Sequence, residues 1–269
     1  MNDNHIVIDT DAYLGHFPFR KMFCNTAEEL ANIAQDNGID KICVSSLEAV
    51  FYRNAMDGNL ALIKEVEDFS KSNSSSVTFL PFAIINPHYT GFEKDIQTCR
   101  ELGFYGIELC PLYHDYVLGD EKSQEAASLA AKHHLPIRIR AGFEDDRQRH
   151  FLDVPTDVPC QSVIDLITAK GEATYILTGF YPLMFFQKGS DLLNYKNVFF
   201  STWKDDIYPS INDSFLNIIQ TIPISQIVLG TNAPFAYMEP QFLRLHNCKE
   251  LSEMGKKSIL GDNIQSLFS

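Results

Sequence analysis

Basic residues are scarce in this chain: 22 Lys and Arg stand against 35 Asp and Glu, a formal net charge of −13. Such a surface repels a phosphate backbone, so nucleic acid is not expected as a partner. Long apolar runs are missing too. No window reaches the roughly 18 to 20 apolar residues needed to cross a bilayer, and the opening MNDNHIVIDTD has no basic region leading into an apolar one. Neither a membrane partner nor a removable leader is expected. Cys24, Cys43, Cys99, Cys110, Cys160 and Cys248 never form a C-x-x-C pair and lie mostly in apolar or helical surroundings, which suits reduced thiols and a cytoplasmic address. Neither G-x-G-x-x-G nor G-x-x-x-x-G-K-[ST] occurs after an apolar run, which argues against a doubly wound nucleotide-binding sheet.

What is present is alternation. The chain has 269 residues, 45% of them apolar, enough for one large core, and a single domain over 1–269 is expected. Eight short β-branched or aromatic runs read as strands: 6–9, 41–46, 77–85, 105–110, 136–141, 174–178, 197–202 and 226–231. Helical spacing of apolar residues fills the gaps, as in TAEELANIAQDNG (26–38), which opens on a Thr26-x-x-Glu29 capping box and closes on Gly38. Eight strands with intervening helices predict an α/β fold, a (β/α)8 TIM barrel whose chemistry sits at the C-terminal strand ends. SKSNSSS (70–76) reads as a solvated loop.

The stretch IVIDTDAYLG (6–15) enters the barrel mouth with Asp9, Asp11 and Tyr13 spaced to face one way. Together with the pair Asn86-Pro87, GFYGIELCPLYHDY, LPIRIRAG, VLGTNAPF and the closing ILGDNIQSLF, in that order and spacing, it resembles the amidohydrolase superfamily. The branch it resembles is the amidohydrolase-related (type 2) one, of metal-dependent hydrolases and decarboxylases. That resemblance implies a divalent metal such as zinc, held by an H-x-H pair after strand one, histidines after strands five and six, and an aspartate after strand eight. The matching positions here read Asp11 and Tyr13, Arg140, Thr178 or Gly179, and Asn232. A guanidinium has no lone pair to offer a metal, so the ligand set is expected to be degenerate and no cofactor bound. A variant keeps a metal through Asp11, Glu108, His114 or Cys110.

Arg138 and Arg140 alternate with isoleucines and are expected to point into the barrel, where Asp11 and Glu108 are carboxylate partners. Two readings follow: an ion-pair plug, or a plug that leaves one guanidinium free to grip a small carboxylate or phosphate. On the second reading Arg140→Met removes anion binding and spares the fold. His114, in the loop after strand four, is the candidate proton-transfer group, as likewise Asp11, Glu108 and Glu144. Tyr13, His150, Asn232 and Trp203 complete the expected substrate-binding set with Arg138 and Arg140. The polar stretch 142–159 would lie over the mouth and bring Glu144, Arg147 and His150 to it; for its charges the plain alternative is a solvated face.

Two functions follow. The first is an amidohydrolase-like hydrolase acting on a small anionic substrate from a metal-free site, its carboxylates and His114 moving protons. The second is a non-catalytic small-molecule-binding barrel that kept the pocket and lost the chemistry. Whether copies of the chain associate is left open.

Overall fold

The eight runs fold into eight parallel strands that pair in chain order: β1 (Ile8–Leu14), β2 (Lys41–Ser46), β3 (Thr78–Ile85), β4 (Gly106–Leu109), β5 (Ile137–Arg140), β6 (Tyr175–Thr178), β7 (Val198–Ser201) and β8 (Ile227–Val228). The last strand meets the first. Ala12 bridges Ala233 in parallel, and the Thr10 and Tyr13 amides donate to the Leu229 and Ala233 carbonyls at 2.9 and 2.8 Å, so the sheet turns into a (β/α)8 barrel. The structure, a computed structural model, describes residues 5–72, 75–144, 149–153, 157–187, 191–202 and 214–268. Among the described residues no helix is long and apolar enough to cross a membrane.

Local signals account for the elements. The Thr26 hydroxyl accepts from the Glu29 amide and the Glu29 carboxylate accepts in return, so the capping box opens the helix Ala27–Asp36, and Gly38 leaves it at φ 70°. The strands are fully buried along nearly their whole length, because their outer faces pack on helices while their inner faces fill the barrel. One strand departs from regular alternation. The β1–β2 register slips between Asp9 and Ala12, a bulge that carries the strand on to Leu14, well past the expected 6–9.

The bulge also overturns the expectation that Asp9 faces with Asp11 and Tyr13. Ile8, Asp11 and Tyr13 take part in the interior, whereas Asp9 turns to the segment that follows β8. There its carboxylate accepts from the Thr231 amide at 3.0 Å and the Thr231 hydroxyl at 2.5 Å.

Three layers stack inside the barrel. At the N-terminal end lie Ile8, Cys43, Leu80, Phe82, Ile176, Phe199 and Val228, closed from below by Ile264 and Phe268. At the C-terminal end Tyr13, Ile84, Cys110 and Phe143 join Phe17 and Leu47. Charged residues occupy the layer between. Gly106 shows how tight the lower layer is: a β-carbon there would run into the ring of Phe82, which is itself wholly buried. Gly106→Ala is therefore expected to lower stability by about 1–3 kcal/mol in urea denaturation. An unchanged midpoint would mean that the ring has room to retreat.

Candidate functional site

The middle layer is a closed network of side chains, all completely buried. Arg138, on β5, donates to the Glu108 carboxylate at 2.6 Å, to the Ser45 hydroxyl at 2.6 Å, and to the Thr10 and Cys43 carbonyls at 2.8 and 3.1 Å. Arg140, two residues on and one layer higher, donates to Asp11, to Asn232 Oδ1 at 3.1 Å and, from Nε, to Glu108 at 3.4 Å. Thr178 donates to the second oxygen of Asp11, and Tyr13 to the Glu108 oxygen that faces Arg140. Two carboxylates thus face two guanidiniums and the formal charges cancel.

Strand geometry makes this arrangement. Residues two apart on one strand share a face, so the I-R-I-R of β5 sends both arginines inward and both isoleucines to the outer core. Asn232 reaches the network from a left-handed backbone, φ 57°, with its amide N–H on the Asp11 carbonyl at 2.7 Å and its side chain donating to the Phe143 carbonyl at 2.8 Å. Burial alone would raise the Glu108 carboxyl, but Arg138 and Arg140 outweigh it and hold the group below its ordinary range. Both guanidiniums are raised in turn: burial works against their charge, and Glu108 and Asp11 more than offset it.

Aromatic rings seal the network from above. Tyr13 meets Phe143 edge-on at 5.0 Å, Phe143 stacks on Phe235 at 5.1 Å, and Phe17 meets Phe235 edge-on at 4.8 Å. Arg140 lies 4.8 Å from the Tyr13 centroid and 5.3 Å from that of Phe143. A latch crosses the lid: Arg20, after β1, donates to the Glu144 carboxylate, after β5, at 2.5 Å. The other Glu144 oxygen is buried without a hydrogen bond among the described residues.

The structure therefore brings Asp11, Tyr13, Glu108, Arg138, Arg140 and Asn232 into one cluster and leaves the other expected residues outside it. His114 ends the helical turn Pro111–His114 with Nε2 3.1 Å from the Val50 carbonyl and a buried Nδ1 that has no partner among the described residues. Burial pushes its pKa down to about 4, so it is neutral at pH 7. His150 stacks between Phe19 and Phe151, its Nδ1 accepting from the Leu152 amide at 3.2 Å. Glu144 lies above the lid, while Trp203 and Arg147 fall outside the described residues. Cys110 is a wholly buried member of the aromatic layer, its thiol held well above the ordinary range by burial. Ser45 and the sealing rings Phe17, Phe143 and Phe235 were not anticipated. The alternation of KICVSS puts Ser45 on the face of Cys43 and could have revealed it; nothing local marks the rings.

Open space lies to the sides of this centre. A cleft of about 350 Å³ runs between the ends of β5 and β6, lined by Leu112, Phe143, Glu144, Arg149, Cys160 and Tyr181, among others.

No family model matches the chain, and no curated protein matches it in sequence. Solved structures do match its shape. The 2,6-dihydroxybenzoate decarboxylase from Rhizobium superposes with a TM-score of 0.73 at 14% identity, covering 98% of each chain. A dihydroxybenzoic acid decarboxylase from Polaromonas sp. JS666, solved with manganese and the inhibitor 2-nitroresorcinol, gives 0.73 at 14% over 98% of this chain and 97% of its own. A probable 2-pyrone-4,6-dicarboxylic acid hydrolase from Acinetobacter baumannii, with citric acid bound, gives 0.67 at 12% over 97% and 98%. The fold is thus that of amidohydrolase-type barrels, as the resemblance in sequence implied.

The manganese-bound neighbour poses the question of a metal. Among the described residues no three His, Cys, Asp or Glu side chains are grouped to hold one. The two central carboxylates already face two guanidiniums. A unit charge 4 Å from Arg140 would meet about 4 kcal/mol of repulsion at an effective dielectric near 20, and a divalent ion about twice that. These residues do not fit a divalent cation.

Proposed function

We propose that this protein is a non-catalytic, small-molecule-binding barrel of the amidohydrolase type, with an internal ion-pair network where related barrels carry out their chemistry. One observation carries the reading: Arg140 stands among Asp11, Glu108 and Asn232, fully buried and in contact with all three. A group so neutralised and sealed reaches no substrate. His114 is turned to a backbone carbonyl, which leaves the centre without a proton carrier.

Binding falls to the cleft between β5 and β6. Its ligand is a small hydroxylated carboxylate: the cleft carries the Arg149 cation and the Glu144 carboxylate, and Phe143, Leu112 and Tyr181 give apolar walls. Dihydroxybenzoate, acted on by the Rhizobium enzyme, and citric acid, bound to the Acinetobacter hydrolase, are of this class. Glu144 supports a second reading as a hydrolase, since a carboxylate that lines a ligand cleft can take a proton from water.

Calorimetric titration of the full chain with 2,6-dihydroxybenzoate and with citrate, alongside metal analysis and assays for carbon dioxide release and ester hydrolysis, tests the proposal. The expected result is binding without stoichiometric metal and without turnover, weakened about tenfold or more by Glu144→Gln. Turnover that Glu144→Gln abolishes would establish the hydrolase reading instead. Stoichiometric zinc or manganese would overturn the metal-free centre.

A further inference from the structure

On the other side of the mouth a second cleft, of about 510 Å³, opens at the C-terminal ends of β2 and β3. Its floor is Ala55, Ile84 and Ile85, and its polar wall includes Arg53, Asn86, His88 and Asp95. It belongs neither to the sealed centre nor to the β5–β6 cleft, with which it shares no residue.

Three groups here have charges or donors that no described residue engages. Arg53 is exposed, and its guanidinium makes no hydrogen bond or ion pair among the described residues. Asn86 is 5% exposed. Its Oδ1 accepts from the His88 amide at 3.0 Å, which fixes the side-chain orientation and leaves the Nδ2 donors without a partner among the described residues, in contact with the cleft. The residue is otherwise buried, so the amide is held in one place and presents its donors to the cleft alone. The third group is Asp95, in the first turn of the helix Phe92–Glu101. Its carboxylate makes no hydrogen bond or ion pair among the described residues, and burial, then Glu93, holds it above the ordinary range against the opposing charge of Lys94.

The cation and the anion do not neutralise each other. Among the described residues no ion pair joins Arg53 to Asp95, although both line one cleft, and the cation that acts on the Asp95 carboxyl is its neighbour Lys94. They stand apart, with the Asn86 amide as a further donor, and His88 is anchored as a wall by Asp120 at 2.6 Å and by stacking on Tyr116. A lone anion would leave Asp95 unanswered, and a lone cation would leave Arg53 and Asn86. A molecule carrying both charges answers all three.

We propose that this cleft binds a small zwitterion, an amino-carboxylate whose carboxylate is held by Arg53 and the Asn86 amide and whose ammonium group is held by Asp95. A carboxylate accepts from a guanidinium fork and an amide at once, whereas an ammonium group needs an acceptor, and Asp95 is the anion that lines the cleft.

The test is calorimetric titration of the full chain with glycine, 4-aminobutyrate and 6-aminohexanoate, with butyrate and n-butylamine as single-charge controls. At least one zwitterion is expected to bind about tenfold or more tightly than either control. Arg53→Met and Asp95→Asn should each remove that advantage, and Asp95→Asn should leave butyrate binding unchanged. Asn86→Asp keeps the acceptor for the His88 amide and replaces the donor by a carboxylate, so it should weaken the zwitterion while thermal unfolding stays near that of wild type. Circular dichroism melts of all three variants separate lost binding from lost fold. Equal affinity for butyrate and 4-aminobutyrate, or no zwitterion binding at about 10 mM, would overturn the proposal. Binding that survives Arg53→Met and Asp95→Asn in folded protein would do the same.

Discussion

Arg140→Met is expected to destabilise the protein by about 3–5 kcal/mol in urea denaturation, one of the largest losses open to a single substitution here. Arg140 is the ion-pair partner of Asp11 and the second partner of Glu108. Removing it leaves Asp11 with the Thr178 hydroxyl alone, in a layer that no water reaches. An unpaired buried carboxylate is costly to keep ionised. From the sequence alone this variant is expected to keep its fold, on the ground that a buried charged network can be exchanged for apolar groups at little cost. That holds when the whole network is exchanged, and it fails when one partner stays behind. Adding Asp11→Asn to Arg140→Met should therefore recover more than half of the loss, because Arg138 and Glu108 remain paired. If Arg140→Met unfolds at the wild-type urea concentration, water reaches the layer and the sealing by Tyr13, Phe143 and Phe235 is incomplete.

Much of this was legible in the sequence. Period-two alternation in IRIR is a local property, and it fixed which face the arginines take. The eight runs marked the strands within one or two residues in most cases; β1, which runs on to Leu14, and β8, which keeps only Ile227 and Val228, depart furthest. Other features depend on contacts between distant segments. The β1 bulge turns Asp9 away from Asp11 because Thr231, 222 residues along the chain, offers it an amide and a hydroxyl. The lid is built from Phe17, Phe143 and Phe235, which follow three different strands and carry no common motif. His114 stands in a polar stretch that reads as a loop at the barrel mouth, placing it as a proton-transfer group. Its helical turn instead packs on the segment carrying Val50, and burial changed its chemistry.

Asp9 and His114 are expected to give the protein two pH dependences of opposite sign that conceal each other. Burial, then the nearby charge of Asp11, lifts the Asp9 pKa from 3.8 to about 7 against the opposing bonds from Thr231. Between those values the folded state holds a proton that the unfolded state has released, so stability is complete below about pH 4 and falls as pH rises to about 7. At 1.36 kcal/mol per unit the ceiling is about 4 kcal/mol. For His114 burial lowers the pKa from 6.5 to about 4, and the folded state refuses a proton that the unfolded state accepts. Its contribution is present above about pH 6.5 and is lost as pH falls to about 4, with a ceiling of about 3 kcal/mol. In the shared window, roughly pH 4 to 6.5, the two slopes cancel and the urea midpoint should change little. Asp9→Asn keeps a carbonyl oxygen for the Asp11 and Thr231 amides and lets its NH2 donate to the Thr231 hydroxyl. That variant should be more stable than wild type at pH 8 and lose stability on acidification from 6.5 to 4. His114→Gln retains a donor for the Val50 carbonyl and should show the mirror behaviour, losing stability as pH climbs from 4 to 7. Urea denaturation of the three proteins across this range reads both slopes. Parallel profiles for all three would show that neither group titrates differently in the folded and unfolded chains.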